Sequence, residues 1–412
     1  MPIINRIAEF HDDMTAWRRD LHRHPETAFE ERRTADLVAE KLAEWGIEVH
    51  RGLAETGVVG TLHGRNAKGA GNGSGKGSGK GSGKGSGGRA IGLRADMDAL
   101  HIHELNDFDH RSTDDGKMHA CGHDGHTAML LGAARYLAET RNFEGTVHFI
   151  FQPAEENEGG GRVMVEQGLF EKFPVESVYG LHNMPGLATG RAGLRAGSAM
   201  ASFDIFEITV TGDGTHAAMP HLGNDPIVVA AQIVGALQTI ASRRSDPLEP
   251  VVVSITQFHA GDTWNVIPEQ VVLRGTARCF KPEVRDRIEA EIGKISEGLC
   301  AAHGATLEYR YERRYPALVN SERETELAAR VAAEVLGADH VEVGAPPLMG
   351  SEDFAYLLQE RPGCYIWLGN GAHGGPGGCT VHNPRYDFND EISVLGASYW
   401  ARLVETTLPR GG

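Results

Sequence analysis

Cys121 and His123 stand two residues apart in the run Met118-His-Ala-Cys-Gly-His-Asp-Gly-His126, the densest group of metal-binding residue types in the chain. A thiolate beside an imidazole suits zinc or another borderline transition metal. In an extended loop the two side chains would leave on the same side. A helical pattern follows directly, at about 126–139, and would hold that loop against a scaffold. His119 and His126 read as outer or capping groups. The alternative reading of the whole run is a set of polar residues capping the helix.

A second signal is Val147-His-Phe-Ile-Phe-Gln-Pro-Ala-Glu-Glu156, an apolar strand that ends in two adjacent carboxylates. Neighbouring residues of an extended chain point to opposite sides. One of Glu155 and Glu156 could then hold a metal while the other faces an attacking water as general base. Two more histidines follow strand patterns: His182 in Gly180-Leu-His-Asn-Met-Pro185, and His382 in Val381-His-Asn-Pro384 beyond the glycine-rich stretch 371–378. Each alone reads as readily as a structural histidine. Together, Cys121, His123, Glu156, His182 and His382 fall at the ends of successive strand patterns, where ligands gather in open α/β sheets. Five such groups sharing one thiolate suffice for two ions. A metal pair can activate water and stabilise the oxyanion formed when a carbonyl is attacked.

Other chemistries find little support. No Gly-x-Gly-x-x-Gly opens a helix after a strand, and the Gly-Ser-Gly repeats of the low-complexity segment, as at Gly77-Ser-Gly-Lys, lack the strand–turn–helix context of a nucleophilic serine.

The elements that must position these residues alternate. Helical patterns cover about 6–24 and 30–45. Short apolar runs lie at 57–62, 90–93, 147–151 and 178–181, which indicates an α/β layer architecture. From Phe203 the pattern changes to strand, helix (225–243), two strands (251–258, 270–279), helix (282–302) and strand (306–313). This β-α-β-β-α-β order is that of a ferredoxin-like α+β unit. The expected organisation is a catalytic domain with a mixed sheet flanked by helices, in two parts (1–199 and 313–412). A lid or dimerisation domain (200–312) is inserted between them. Residues 68–88 repeat Gly-Lys-Gly-Ser and cannot bury apolar surface, so they are expected to form a flexible insertion.

Composition sets the limits. The chain has 412 residues, 41% hydrophobic and 23% charged, with a formal charge of −16. No basic stripe suited to nucleic acid appears outside the low-complexity segment, and no run of eighteen consecutive apolar residues suggests a membrane span. The five cysteines are scattered without a CxxC pair, which argues against a disulfide framework. The opening residues lack a secretory layout, and the expected location is cytoplasmic.

The motifs also carry a resemblance. Arg94-Ala-Asp-Met-Asp-Ala-Leu100, the 118–128 run, Phe151-Gln-Pro-Ala-Glu-Glu156, Gly180-Leu-His-Asn183, His216-Ala-Ala-Met-Pro-His221, Met349-Gly-Ser-Glu-Asp-Phe354 and His382-Asn-Pro-Arg-Tyr-Asp387 resemble the M20 metallopeptidase family. Within it they are most similar to the N-acyl-amino-acid amidohydrolase, hippurate hydrolase and auxin-conjugate hydrolase branch. The resemblance implies two divalent ions bridged by Cys121, with Glu156 and His382 on one and His123 and His182 on the other. Zinc or manganese is expected, with cobalt or nickel as alternatives. It further implies Glu155 as general base and Asp98 as an outer residue behind the ligands. His216 would reach the active site of a partner subunit, and Asn265 and Arg278 would hold the substrate's carbonyl and carboxylate. Two departures are His101, where the branch has proline, and the Gly-Lys-Gly-Ser insertion.

The expected activity is hydrolysis of the amide bond of a small N-acyl amino acid, by an enzyme expected to form a homodimer or higher homo-oligomer through the lid domain. The competing readings are a dipeptidase or aminopeptidase, with Glu352 or Asp353 receiving a free amino group, and a non-catalytic metal-binding protein.

Overall fold

The computed structural model describes residues 4–65 and 89–410; the repeat at 68–88, expected as a flexible insertion, lies outside the described residues. The chain divides into two compact units. The first takes in the described residues of Met1–Gly197, Asn320–Pro346 and Tyr356–Gly412, and the second Ser198–Val319 with Pro347–Ala355. The insertion expected at 200–312 thus extends to Val319 and gains a returning segment around Gly350.

The first unit opens with α1 (Asn5–Ala8) and α2 (His11–Arg23), where one helix was expected. Phe10 closes the first turn back onto Ile7 (N–H···O 2.9 Å), and both side chains are buried. Then come α3 (Arg32–Glu44), β1 (Glu48–Leu53), β2 (Gly57–His63), β3 (Ala90–Asp96), α4 (His123–Thr140), β4 (Thr146–Gln152), α5 (Gly160–Glu166), α6 (Leu169–Lys172), β5 (Ser177–Pro185) and β6 (Ala192–Leu194). Strand β1 escapes a hydropathy reading because it is an edge strand exposed along most of its length, with a bulge between Arg51 and Leu53.

After the short β7 (Gly197–Met200), the second unit runs β8 (Phe203–Thr211), β9 (Thr215–His216), α7 (Pro226–Thr239), β10 (Val252–Ala260), β11 (Val266–Ile267), β12 (Gln270–Arg278), α8 (Pro282–His303) and β13 (Thr306–Tyr315). Its antiparallel sheet has the order β10-β12-β8-β13. That is the ferredoxin-like arrangement expected from the pattern. Phe206, Ile208 and Val210 of β8 alternate into a core with Val229, Ile233 and Leu237 of α7 and Ile288 and Ile292 of α8. By length and composition Pro226–Arg244 could cross a membrane, yet this buried stripe of α7 belongs to that core.

Past β14 (Leu318–Asn320), the chain supplies α9 (Glu322–Leu336), β15 (Val341–Val343), α10 (Phe354–Glu360), β16 (Gly363–Gly371) and α11 (Ser393–Thr407). The large sheet of the first unit has the order β1-β2-β4-β3-β5-β16-β6-β15. Its four central strands, β4, β3, β5 and β16, are mutually parallel, while β1, β2 and β6 add antiparallel pairings. The central strands are almost wholly buried, as parallel strands covered on both faces must be. Helix α4 packs with α2 and α11, and its Met129, Leu130 and Leu131 are fully buried. Each such side chain contributes roughly 1.5–3 kcal/mol on leaving water. The mixed sheet with flanking helices is the architecture expected of the catalytic part.

Candidate metal centre

Ligand-type residues collect where the four parallel strands end. Beyond β3 the chain presents Asp98. After β4 it turns through Ala154, which adopts φ 54°, and delivers Glu155 and Glu156. His182 lies within β5. Beyond β16 the glycine-rich loop leads to His382, itself at φ 61°. Positive φ in a residue with a Cβ is uncommon and costs energy; here it occurs at two turns that present candidate ligands. The remaining contribution comes from Cys121-Gly122-His123 at the start of α4.

Donor atoms of Cys121, His123 and His182 all lie within 4.8 Å of one another, and so do those of Cys121, Glu156 and His382. The two groups share Cys121. Its Sγ is 3.3 Å from His182 Nε2, and His382 Nε2 is 3.0 Å from Glu156 Oε1. Ligands held at about 2.0–2.3 Å from a tetrahedral ion stand some 3–4 Å from each other. Glu155 joins His123 and Glu156 in a third group of the same tightness and is buried.

The ring orientations are set from behind. His123 Nδ1 faces Asp98 Oδ1 at 3.2 Å, and Asp98 Oδ2 accepts the Glu156 backbone N–H at 2.9 Å. His182 Nδ1 donates to the carbonyl of Asn183 at 2.6 Å. Each histidine therefore turns Nε2 toward the cluster, the arrangement in which a second hydrogen bond fixes the metal-binding tautomer. A further layer links Asp96 to His126 (2.6 Å), His126 to Asn183 (2.8 Å) and the Asn183 amide to the Tyr386 hydroxyl (2.7 Å).

The electrostatics call for a cation. Burial first, then Glu156, Glu155 and Asp96, push the Cys121 thiol well up, so thiolate formation needs positive charge nearby. Burial and then His126 hold His182 well below the usual histidine range, leaving it neutral. For His123 burial opposes protonation, but Asp96 and Asp98 outweigh it and raise the ring to about 10. Its Nε2 and the Glu156 Oε1 are nonetheless buried without a hydrogen-bond partner; the approach of Oε1 to His382 lacks hydrogen-bond geometry. Unpaired buried polar atoms are rare and demand explanation. Thiolate, imidazole and carboxylate donors converging on two such atoms fit a pair of divalent ions.

The local geometry differs from the extended-chain reading. Cys121 and His123 converge because Gly122 adopts φ 96° and α4 begins at His123 itself, not because a straight loop aims both one way. Gly122 is also packed closely: a Cβ there would sit 2.2 Å from Asn183 Oδ1 and 2.6 Å from the Tyr386 hydroxyl. Likewise Glu155 and Glu156 occupy a turn after β4 rather than extended chain. His101 is exposed, and the exposed His103 pairs with Asp115.

The other sequence-derived candidates lie in the second unit. His216 ends β9, pairs with Val266 of β11 and is exposed; its Nδ1 accepts the Ala218 N–H at 3.0 Å. Asn265 adjoins it, its carbonyl accepting the Ala217 N–H at 3.0 Å. Arg278 ends β12 half-buried, donating to Met349 O (3.2 Å) and Ser351 Oγ (3.3 Å), with its guanidinium 4.7 Å from the Phe203 ring centre. Sequence reasoning passed over Asp96, Asn183 and Tyr386 as separate participants, although each sits within four residues of a named ligand or of Asp98.

A sequence profile described as Peptidase family M20/M25/M40 matches residues 92–406. The hippurate hydrolase of Campylobacter jejuni is 38% identical over 403 residues, covering 98% of this chain and 98% of that protein. The N-acetylcysteine deacetylase of Bacillus subtilis is 37% identical over 402 residues, covering 97% and 98% respectively. Among solved structures, the Bacillus subtilis YXEP protein, described as a dinuclear metal binding peptidase from the M20 family, superposes with a TM-score of 0.80. It is 34% identical and covers 97% of this chain and 99% of its own.

Proposed function

This chain belongs to peptidase family M20/M25/M40, and we propose, from the metal centre and the relatives' activities, that it is a metal-dependent amidohydrolase cleaving the amide bond of small N-acyl amino acids to a carboxylic acid and a free amino acid. The observation that carries this reading is the pair of donor groups sharing Cys121 with buried Glu155 alongside. A divalent pair held by Cys121, Glu156 and His382 on one side and by His123 and His182 on the other would polarise the amide carbonyl and make water more acidic.

The remaining steps fall to side chains of this chain. Glu155 takes the proton of the attacking water and returns it to the leaving nitrogen. Asp98 holds His123 and the Glu156 backbone in register. Arg278 receives the substrate carboxylate, which its planar fork can pair bidentately, and Asn265 the carbonyl. His216, on an exposed strand end, stabilises the developing oxyanion in the site of a second copy. The exposed Trp264 and Val266 of the segment that pairs with it, and exposed Phe258 elsewhere on the same unit, support a homodimer formed through this unit. Five free thiols favour a reducing, cytoplasmic setting. Zinc or manganese suits the mixed donor set.

The test is turnover of benzoyl-, acetyl- and indoleacetyl-amino acids by metal-stripped protein reloaded separately with zinc, manganese, cobalt or nickel. Restored cleavage of N-acyl amino acids over dipeptides is expected. Cleavage of dipeptides alone would overturn the substrate assignment.

A further inference from the structure

Behind the metal centre, on the side of α2, lies a buried cluster of charge that the proposed reaction leaves unused. Arg18 and His22 are one helical turn apart, so they share a face of α2, and both are completely buried. The rest of that face is apolar, with Met14 and Leu21 also fully buried.

Arg18 grips the segment after His382. Its Nε and one terminal nitrogen reach the two oxygens of Asp390 at 2.7 and 2.9 Å, and the other terminal nitrogen reaches Asp387 at 2.9 Å. His22 grips the start of α4: its Nδ1 lies 2.9 Å from Asp124 Oδ2, next in sequence to His123, and its Nε2 lies 3.3 Å from Glu104. Asp124 Oδ2 is also 3.6 Å from Arg18, so the two grips meet at one carboxylate. The segments they hold touch directly at the metal centre, where the His382 N–H donates to the Ala120 carbonyl at 2.7 Å.

We propose that Arg18 and His22 are positioning residues that set the separation between the segment carrying Cys121 and His123 and the segment carrying His382. The inference rests on the metal-centre reading given above. Stability alone is a poor reason for the arrangement, because buried ion pairs are often no more stabilising than apolar residues of similar volume. A rigid guanidinium fork does something an apolar contact cannot: it fixes both distance and direction of the carboxylates it holds. Arg19 also reaches Asp390 at 2.9 Å and His110 reaches Asp387 at 3.2 Å. Losing the Arg18 fork therefore loosens the loop that ends at Asp390 without releasing it, and the site completed by His382 loosens while the His123–His182 site keeps its own anchors at Asp98 and Asn183.

The experiment titrates metal-stripped protein with zinc alone against a chelating dye, for the unaltered chain, Arg18→Lys and His22→Gln, with calorimetric melting of each metal-free protein. Lysine keeps the charge but loses the fork. Two equivalents are expected in the unaltered chain. In Arg18→Lys one equivalent keeps its affinity and the other weakens by up to roughly 10-fold, the low end of what losing a direct partner of a metal ligand costs, since Arg18 acts through Asp387 and Asp390 and touches no ligand itself. A merely structural role would lower the melting temperature and the folded fraction without moving one dissociation constant apart from the other. If Arg18→Lys does not fold, Asp390→Asn, whose side chain is partly exposed, serves in its place. Two unchanged dissociation constants in folded variants overturn the positioning role. Failure of the unaltered chain to take up a second equivalent overturns the metal-centre reading instead, and this inference with it.

Discussion

Asp98 Oδ1 lies 3.2 Å from His123 Nδ1, and the other oxygen of that carboxylate accepts the backbone N–H of Glu156 at 2.9 Å. One buried side chain thus contacts the imidazole of His123 and the peptide of Glu156, two candidate ligands on different elements. Asp98→Asn keeps the shape but removes the charge and allows the amide to present a donor to His123. Metal affinity is expected to fall about 10–100-fold, measured by competition with a chelator. Unchanged affinity would falsify the orienting role.

Glu155→Gln separates binding from chemistry. The amide cannot take a proton from water, so turnover should drop by about two to four orders of magnitude, while metal content stays at two equivalents by elemental analysis. A variant turning over at near-normal rate places the base elsewhere.

Gly122→Ala tests how the cluster is assembled. The residue sits at φ 96°, and an added Cβ would meet Asn183 Oδ1 at 2.2 Å. The expected outcome is a loss of about 1–3 kcal/mol in stability, read from denaturant unfolding, together with weaker metal uptake. The prediction fails if both quantities match those of the unaltered protein.

Removing the metals should cost stability as well as activity. A ligand at a thousand times its dissociation constant stabilises the folded state by about 4 kcal/mol. Chelation should therefore lower the melting temperature, and adding back the divalent ion should restore it. A melting temperature indifferent to chelator would show that the site is not occupied under those conditions.

His148 supplies a pH dependence away from the centre. Burial, followed by the nearby His63, lowers its pKa to about 4, against about 6.5 in an unfolded chain. Between those values the unfolded chain binds a proton that the folded one refuses, so stability falls as pH drops from 6.5 toward 4. The contribution reaches at most about 3 kcal/mol, at 1.36 kcal/mol per pH unit. His148→Asn keeps a partner for Thr61, which lies 3.0 Å from His148 Nδ1, but does not titrate. Its unfolding free energy should decline less over that window; an identical decline contradicts the assignment.

Much of this was legible in the chain. Alternation in Phe206, Ile208 and Val210 and the helical stripe of 225–243 announced the ferredoxin-like unit, because such periodicities follow from local geometry. Short apolar runs such as 147–151, alternating with helical patterns, announced the strands of an α/β layer architecture; that the central ones pair in parallel came from the fold. Strand β1 did not show, since an exposed edge strand carries little apolar signal. The residue types of Cys121, His123, Glu156, His182 and His382 announced metal chemistry because few other pairings of thiol, imidazole and carboxylate recur at strand ends.

What the chain could not announce was how those residues meet. The left-handed turns at Gly122, Ala154 and His382 and the joining of α2 to both segments that carry candidate ligands through Arg18 and His22 depend on contacts between residues up to several hundred positions apart. Types and spacing along the chain follow from covalent order, and a 2.0 or 3.6 period is visible in it. Convergence of distant side chains is set by packing of the sheet and helices, which no local pattern encodes.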